Sequence, residues 1–365
     1  MSHTNQPTIT TRHFFHQCVD SKMSYLATMA LLLACSVSTQ LSEALASQVA
    51  IVTGANGYVG REVVRVLLEE PGSSSIFCLV RPGRVDTERD YWKSVESISV
   101  LPFEMNDGGL TIQSAIDQAK SQGENICVYH VASVFGPTED PIQTARDNVQ
   151  GTEDLVRVLA KNGKCRLVLT SSMAAVRGTG QDPLNGQFYT QDDWNTISKL
   201  NADSWGSCYQ WSKAESERRA WELSESLGVP MASICPSFVF GPSTDATSKS
   251  FSITLVNQWI KGESPVQSRL CVDIRDVARA HVAAGTRPHA IGKRFLVTTE
   301  RRISSERIAD VLKKTCRECN AGNPERIHHD SVFQGGAIPI GQKEVDSAEH
   351  LQEYLGVELR PVEET

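Results

Sequence analysis

The sequence predicts an α/β fold built on a doubly wound parallel sheet, and three observations carry the expectation. Short apolar β-prone runs alternate with amphipathic helical stretches from Val49 onward. A glycine-spaced turn joins the first strand to the first helix. No internal repeat or low-complexity tract interrupts the alternation in the 365 residues.

Val49-Ala50-Ile51-Val52 forms the first strand, and Gly54-x-x-Gly57-x-x-Gly60 follows it. Arg61 to Glu70 then carries helical spacing through Val63, Val64, Val66, Leu67 and Leu68. The first glycine of such a turn allows a sharp bend, the second lets backbone N–H groups approach a pyrophosphate, and the third lets helix and strand pack closely. The helix N-terminus adds unpaired N–H groups and the positive end of its dipole. Three glycines alone describe an ordinary strand-to-helix turn equally well. The strand before and the helix after select dinucleotide binding, placing Gly54, Asn56, Gly57, Tyr58, Val59 and Gly60 at the cofactor.

The second strand is Ile76-Phe77-Cys78-Leu79-Val80, whose end in such folds lies beside the adenosine ribose. A carboxylate there binds the 2′-hydroxyl and would repel a 2′-phosphate, whereas a guanidinium pairs with it bidentately. Arg81 and Arg84 hold this position, so NADP is expected over NAD; the competing reading makes both a solvated loop face. Ser97 to Phe103 reads as a third strand and Gly109 to Lys120 as the helix after it. Ile126 to Ser133 is a fourth strand running into a loop, with His130 expected as a structural residue. Asn148 to Thr152 opens the helix Glu153 to Lys161, and Arg166 to Ser172 is the fifth strand.

Two stretches carry the chemistry. Ser171-Ser172 ends a strand, the edge where open α/β sheets place ligands. Tyr209-Gln210-Trp211-Ser212-Lys213 heads a helix continuing through Glu222 and Leu227, and residues four apart share a helical face. A free phenol with pKa about 10 exchanges protons poorly at neutral pH. A fixed ammonium beside it stabilises the phenolate and lowers that pKa. A serine hydroxyl can hold a carbonyl oxygen as it gains charge. Tyrosine and lysine also stand four apart on many solvated helices, so the glycine turn and the strand-ending serines give the pair its weight.

Together and in order, these stretches resemble the extended short-chain dehydrogenase/reductases, nearest to the dihydroflavonol reductase and cinnamoyl-CoA reductase branch. The likeness covers residues 48 to 365. Besides the glycine turn it includes Val80-Arg81, His130-Val131-Ala132, Asn148-Val149-x-Gly151-Thr152, Thr170-Ser171-Ser172, Tyr209-x-x-x-Lys213, Pro236 to Pro242, Val272 to Ala278 and Leu355-Gly356. The resemblance implies a Rossmann-type domain with a smaller, mostly helical C-terminal substrate lobe. It implies Tyr209 as general acid, Lys213 on the nicotinamide ribose, and Ser172 on the carbonyl, with Ser171 its stand-in. It also implies Val131, Ala132 and Pro236 at the cofactor and Asn148 on the helix behind the site. Glu104 stands where relatives carry the aspartate that approaches adenine.

A formal charge of −7 gives no basic face for nucleic acid. The ten cysteines are scattered through apolar runs, as core thiols are, and Cys316 and Cys319 lack the second pair of a zinc site; no metal is expected. Asp273 and Asp276 read as helix-capping or lobe-packing residues. Residues 1–47 hold only Asp20 and Glu43 as acids, with the apolar run Leu26 to Val37 too short to span a bilayer and Ala44-Leu45-Ala46 resembling a cleavage site. They read as a secretory or organellar targeting leader, or else as an extension on a cytoplasmic enzyme. The division expected is this leader, a cofactor domain over 48–236, and a substrate lobe over 237–365 whose stretch 272–298 returns to the core.

The function expected is NADPH-dependent reduction of a ketone or aldehyde by a monomer or homodimer, with a small-molecule carbonyl substrate and no stable membrane insertion of the mature domain. An epimerase, dehydratase or hydroxysteroid dehydrogenase on the same scaffold is the alternative, and a non-catalytic cofactor sensor a second one.

Overall fold

Five strands expected from the apolar runs join two further ones in one parallel sheet of order β3-β2-β1-β4-β5-β6-β9. The computed structural model describes residues 48–70, 75–243, 250–320, 322–330 and 338–365, so the expected leader lies outside the described residues. The strands are β1 (Val49–Thr53), β2 (Ser75–Val80), β3 (Ile98–Pro102), β4 (Ile126–His130), β5 (Cys165–Thr170), β6 (Met231–Pro236) and β9 (Arg294–Val297). Helices α1 (Tyr58–Glu69), α2 (Val85–Trp92), α3 (Leu110–Ala119), α4 (Pro141–Asn162), α5 (Met173–Val176) and α6 (Trp205–Leu227) connect them.

Both sheet faces are covered, which is why the strands read as unbroken apolar runs and not as alternating ones. Successive side chains still part by face. Val49 and Ile51 pack with Ile112, Ile116, Leu155 and Leu159 of α3 and α4, while Ala50 and Val52 pack with Val63, Val64 and Leu67 of α1. The order reverses between β1 and β4, and the crevice at that reversal is where an open α/β sheet takes its ligand.

Beyond β6, a two-stranded ribbon pairs β7 (Phe238–Phe240) with β8 (Cys271–Asp273), and α7 (Phe251–Lys261) lies between them in sequence. Helix α8 (Ile274–Thr286) then places Ile274, Val277 and Ala278 in the same cluster as α1, and β9 closes the sheet beside β6. Trp259, Ile303 and Ile308 anchor a separate cluster with α9 (Ser305–Glu318); α10 (Ala348–Leu355) returns Leu351 and Leu355 to the main core.

Several expected boundaries shift, each for a local reason. Helix α4 begins at Pro141, seven residues before Asn148, because the Asp140 side chain accepts the Gln143 N–H at 2.9 Å and Pro141 suits a first helical position. Helix α6 begins at Trp205 under a Ser204 cap, so Tyr209 sits on its second turn and does not head it. Strand β5 ends at Thr170, leaving both serines beyond it. Asp273 caps α8 through the Arg275 N–H at 2.7 Å, as its place ahead of a helix predicts.

Candidate active site

Strand β1 is buried throughout, and Gly54 leaves it with φ of +66°, where L side chains are strained. A Cβ on Gly60 would lie 2.2 Å from the Gly54 carbonyl oxygen, so only glycine lets α1 come this close. Gly57, the N-cap of α1, offers no side chain to its first N–H groups, which leaves them free for an anion. Asn56 and Val59 lie partly exposed in the same turn. Thr53 Oγ1 accepts the Val131 and Ala132 N–H groups, each at 3.2 Å, and pins that loop where the sheet order reverses. The Tyr58 backbone belongs to the seat, but its hydroxyl turns aside to donate to the Gly241 carbonyl at 2.9 Å. Arg81 and Arg84 flank a short turn after β2, exposed and without a carboxylate among the described residues. A backbone cradle that a Cβ would fill, with two free guanidiniums at its adenosine end, fits a dinucleotide carrying a 2′-phosphate.

The two adjacent serines face different surroundings. Ser171 is buried and its hydroxyl donates to Glu217 Oε2 at 2.7 Å. Ser172 caps α5 by accepting the Ala174 N–H at 3.1 Å, and its hydroxyl is close enough to Tyr209 to act on the phenol's pKa. Lys213 Nζ donates to the Thr170 carbonyl at 3.1 Å and stands 6.0 Å from the Tyr209 ring centroid. Ser172, Tyr209 and Lys213 thus meet at the end of β5. Pro236 closes β6, the neighbouring strand.

The electrostatics differ from the expectation in one respect. Burial pushes the Tyr209 phenol up to about 12, and the Ser172 hydroxyl only partly offsets it. The ammonium expected to lower it is aimed at the Thr170 carbonyl, so desolvation wins over charge. Burial also pushes Lys213 down to about 8, with Glu217 and Cys235 opposing. His130 is buried against Thr53 Oγ1 at 2.9 Å, and burial with the Lys213 charge holds it neutral, near 3. That is the structural role its position predicts.

Two supporting groups escaped the sequence reading. Glu217 lies one turn past Lys213, fully buried, and accepts from Ser171, Ser233, and Arg294 Nε at 2.8 Å. Arg294 in turn donates to the Ala175, Gln191 and Asp193 carbonyls. One ion pair therefore ties α6, which carries Tyr209, to the α5 turn that carries Ser172. The four-residue spacing from Lys213 was the available signal, but a buried carboxylate and a solvated one look alike in sequence. The second is Phe135 on the loop after β4, whose ring lies 4.3 Å from that of Tyr209; Asn148, expected behind the site, holds that loop by accepting the Val134 N–H on Oδ1 at 2.9 Å. Cys316 is buried and Cys319 exposed at the end of α9, and no group of three or more metal-ligating side chains occurs among the described residues.

Residues 50–297 match the NAD dependent epimerase/dehydratase family. The tetraketide alpha-pyrone reductase 2 of Arabidopsis thaliana is 29% identical over 67% of this chain and 75% of that protein. Cinnamoyl-CoA reductase 1 of Oryza sativa subsp. japonica is 30% identical over 69% of this chain and 72% of its own length. The fold superposes on yeast methylglyoxal/isovaleraldehyde reductase Gre2 complexed with NADPH at a TM-score of 0.73, with 22% identity over 87% of this chain and 95% of that one.

Proposed function

The chain belongs to the NAD dependent epimerase/dehydratase family, and from that premise we propose that it is an NADPH-dependent reductase of an aldehyde or ketone. The observation that carries the reading is the convergence of Ser172, Tyr209 and Lys213 beyond β5, beside the glycine turn at the reversal of the sheet. The names of the relatives, reductases of carbonyl compounds, support it.

The backbone of Gly54 to Gly60 and the Val131-Ala132 loop would hold the dinucleotide, with Arg81 and Arg84 on its 2′-phosphate. When bound, the reduced nicotinamide supplies the hydride that reaches the carbonyl carbon. Ser172 donates a hydrogen bond to the carbonyl oxygen, which fixes the carbonyl's orientation. Tyr209 gives its hydroxyl proton to that oxygen as charge develops there. Lys213 holds a positive charge one turn away, on the face where the ribose would lie. The high pKa of Tyr209 favours this direction: the phenol stays loaded with its proton at neutral pH, and an alkoxide is more basic still. Residues 1–47 act, in this proposal, as a targeting leader; a mature chain beginning at Met1 would argue against it.

The test is Tyr209→Phe with a panel of carbonyl compounds. Turnover should fall by about 10²- to 10⁴-fold while NADPH binding changes little, since the variant loses proton transfer and keeps the cradle. Wild-type turnover in the variant would refute the mechanism.

A further inference from the structure

A second buried charge cluster lies at the far end of the helical turn that carries Ser172. Arg302 and Glu344 form a buried pair, Nε to Oε2 at 3.1 Å and Nη2 to Oε1 at 2.8 Å. Arg177 adds a longer contact to the same carboxylate at 3.5 Å. Arg269 joins them with no carboxylate of its own among the described residues, bonding only Gln267 through its side chain and resting 5.4 Å from the Phe238 ring centroid. Three guanidiniums thus cluster with one carboxylate, which two of them touch.

The Nε atoms of Arg177 and Arg269 are buried without a hydrogen-bond partner. Arg61 and Arg279 also leave Nε unpaired, but each has a carboxylate close on its Nη2, Glu88 at 2.7 Å and Asp276 at 2.8 Å, whereas Arg177 reaches only the carboxylate that Arg302 already holds, at 3.5 Å, and Arg269 reaches none among the described residues. Burial and the charges of Arg302 and Arg177 push Arg269 down to about 10. A buried cation without a counter-ion destabilises a fold, and an anion bound from outside would relieve that cost.

Its position says which anion. Arg177 is the C-cap of α5, whose N-cap is Ser172, and five helical steps of 1.5 Å separate them by about 7–8 Å. A guanidinium there lies within reach of the other end of a molecule whose carbonyl sits on Ser172. We propose that Arg177 and Arg269 form an anion subsite, so that the carbonyl substrate carries a carboxylate or phosphate a few bonds from its reacting carbon. The proposal rests on the reductase reading and deepens it.

The experiment compares kcat/KM with NADPH for two matched pairs, succinic semialdehyde against butanal and para-formylbenzoate against para-tolualdehyde. The anionic member of each pair should be preferred by about tenfold or more. Arg269→Gln should bring the ratio close to one, and Arg269→Lys, which keeps the charge, should recover most of it. Para-toluate, which has no aldehyde or ketone group to reduce, should compete with the anionic aldehyde; an uncompetitive or noncompetitive pattern would place the anion elsewhere and overturn the subsite. Turnover of the neutral aldehydes with no anionic preference overturns the subsite and leaves the reductase standing. If none of the four compounds oxidises NADPH, the reductase reading falls, and calorimetry with para-toluate decides the subsite: tighter binding to the wild type than to Arg269→Gln upholds it, equal binding removes it.

Discussion

Glu217 with Arg294 and Glu344 with its three arginines are both buried, both lie beside the α5 turn, and they are built in opposite ways. The first is balanced. One carboxylate meets one guanidinium, and the remaining hydrogen-bonding capacity is taken up by Ser171, Ser233 and three backbone carbonyls. Burial pushes the Glu217 carboxyl up, yet Arg294 and the two serines outweigh it and hold the group below the usual carboxylate range. The second cluster carries surplus positive charge and unpaired donors. A saturated pair fixes geometry and has nothing left to offer a ligand. An unsaturated one destabilises the empty protein and has capacity to spare.

The largest effect should come from breaking the balanced pair. Arg294→Met leaves Glu217 buried and charged without its partner and should lower the unfolding free energy by about 3–5 kcal/mol, read from urea denaturation. A loss under 1 kcal/mol would mean that the pair is not the fastener between α5 and α6.

Acid separates the balanced pair from other buried titrating groups. Burial pushes His130 to about 3 and His281 to about 4, while both protonate near 6.5 in an unfolded chain. Below pH 6.5 the unfolded chain therefore binds protons that the folded one refuses, and stability is lost as pH falls from about 6.5 towards 4. The loss should reach roughly 3 kcal/mol for each histidine by pH 4, and it should precede titration of Glu217. A calorimetric Tm unchanged between pH 7 and 4.5 would contradict it.

The smallest effect is the most discriminating. Arg269→Met removes a cation with no counter-ion, so stability should change by less than about 1 kcal/mol, and a gain is the expected sign. A loss like that of Arg294→Met would erase the contrast between the clusters.

Much of this was legible beforehand because it depends on local chemistry. The glycine turn must be glycine for reasons of backbone geometry, and Gly54 and Gly60 show the close approaches that the spacing implies. Tyr209 and Lys213 share a helix face because any residues four apart do. Helix starts were less legible: Ser204 and Asp140 cap α6 and α4 ahead of the motifs they carry, and such polar residues are equally at home in loops.

The sequence by itself determined the alternation of strand and helix, the glycine turn after the first strand and the shared helical face of Tyr209 and Lys213, since each is written within a few neighbouring residues. Tertiary structure decided which serine faces Tyr209, the direction in which its pKa moves, and which arginines keep a carboxylate. Those outcomes depend on burial and on charges brought together from residues tens to more than a hundred positions apart, and a one-dimensional pattern carries neither distance nor dielectric.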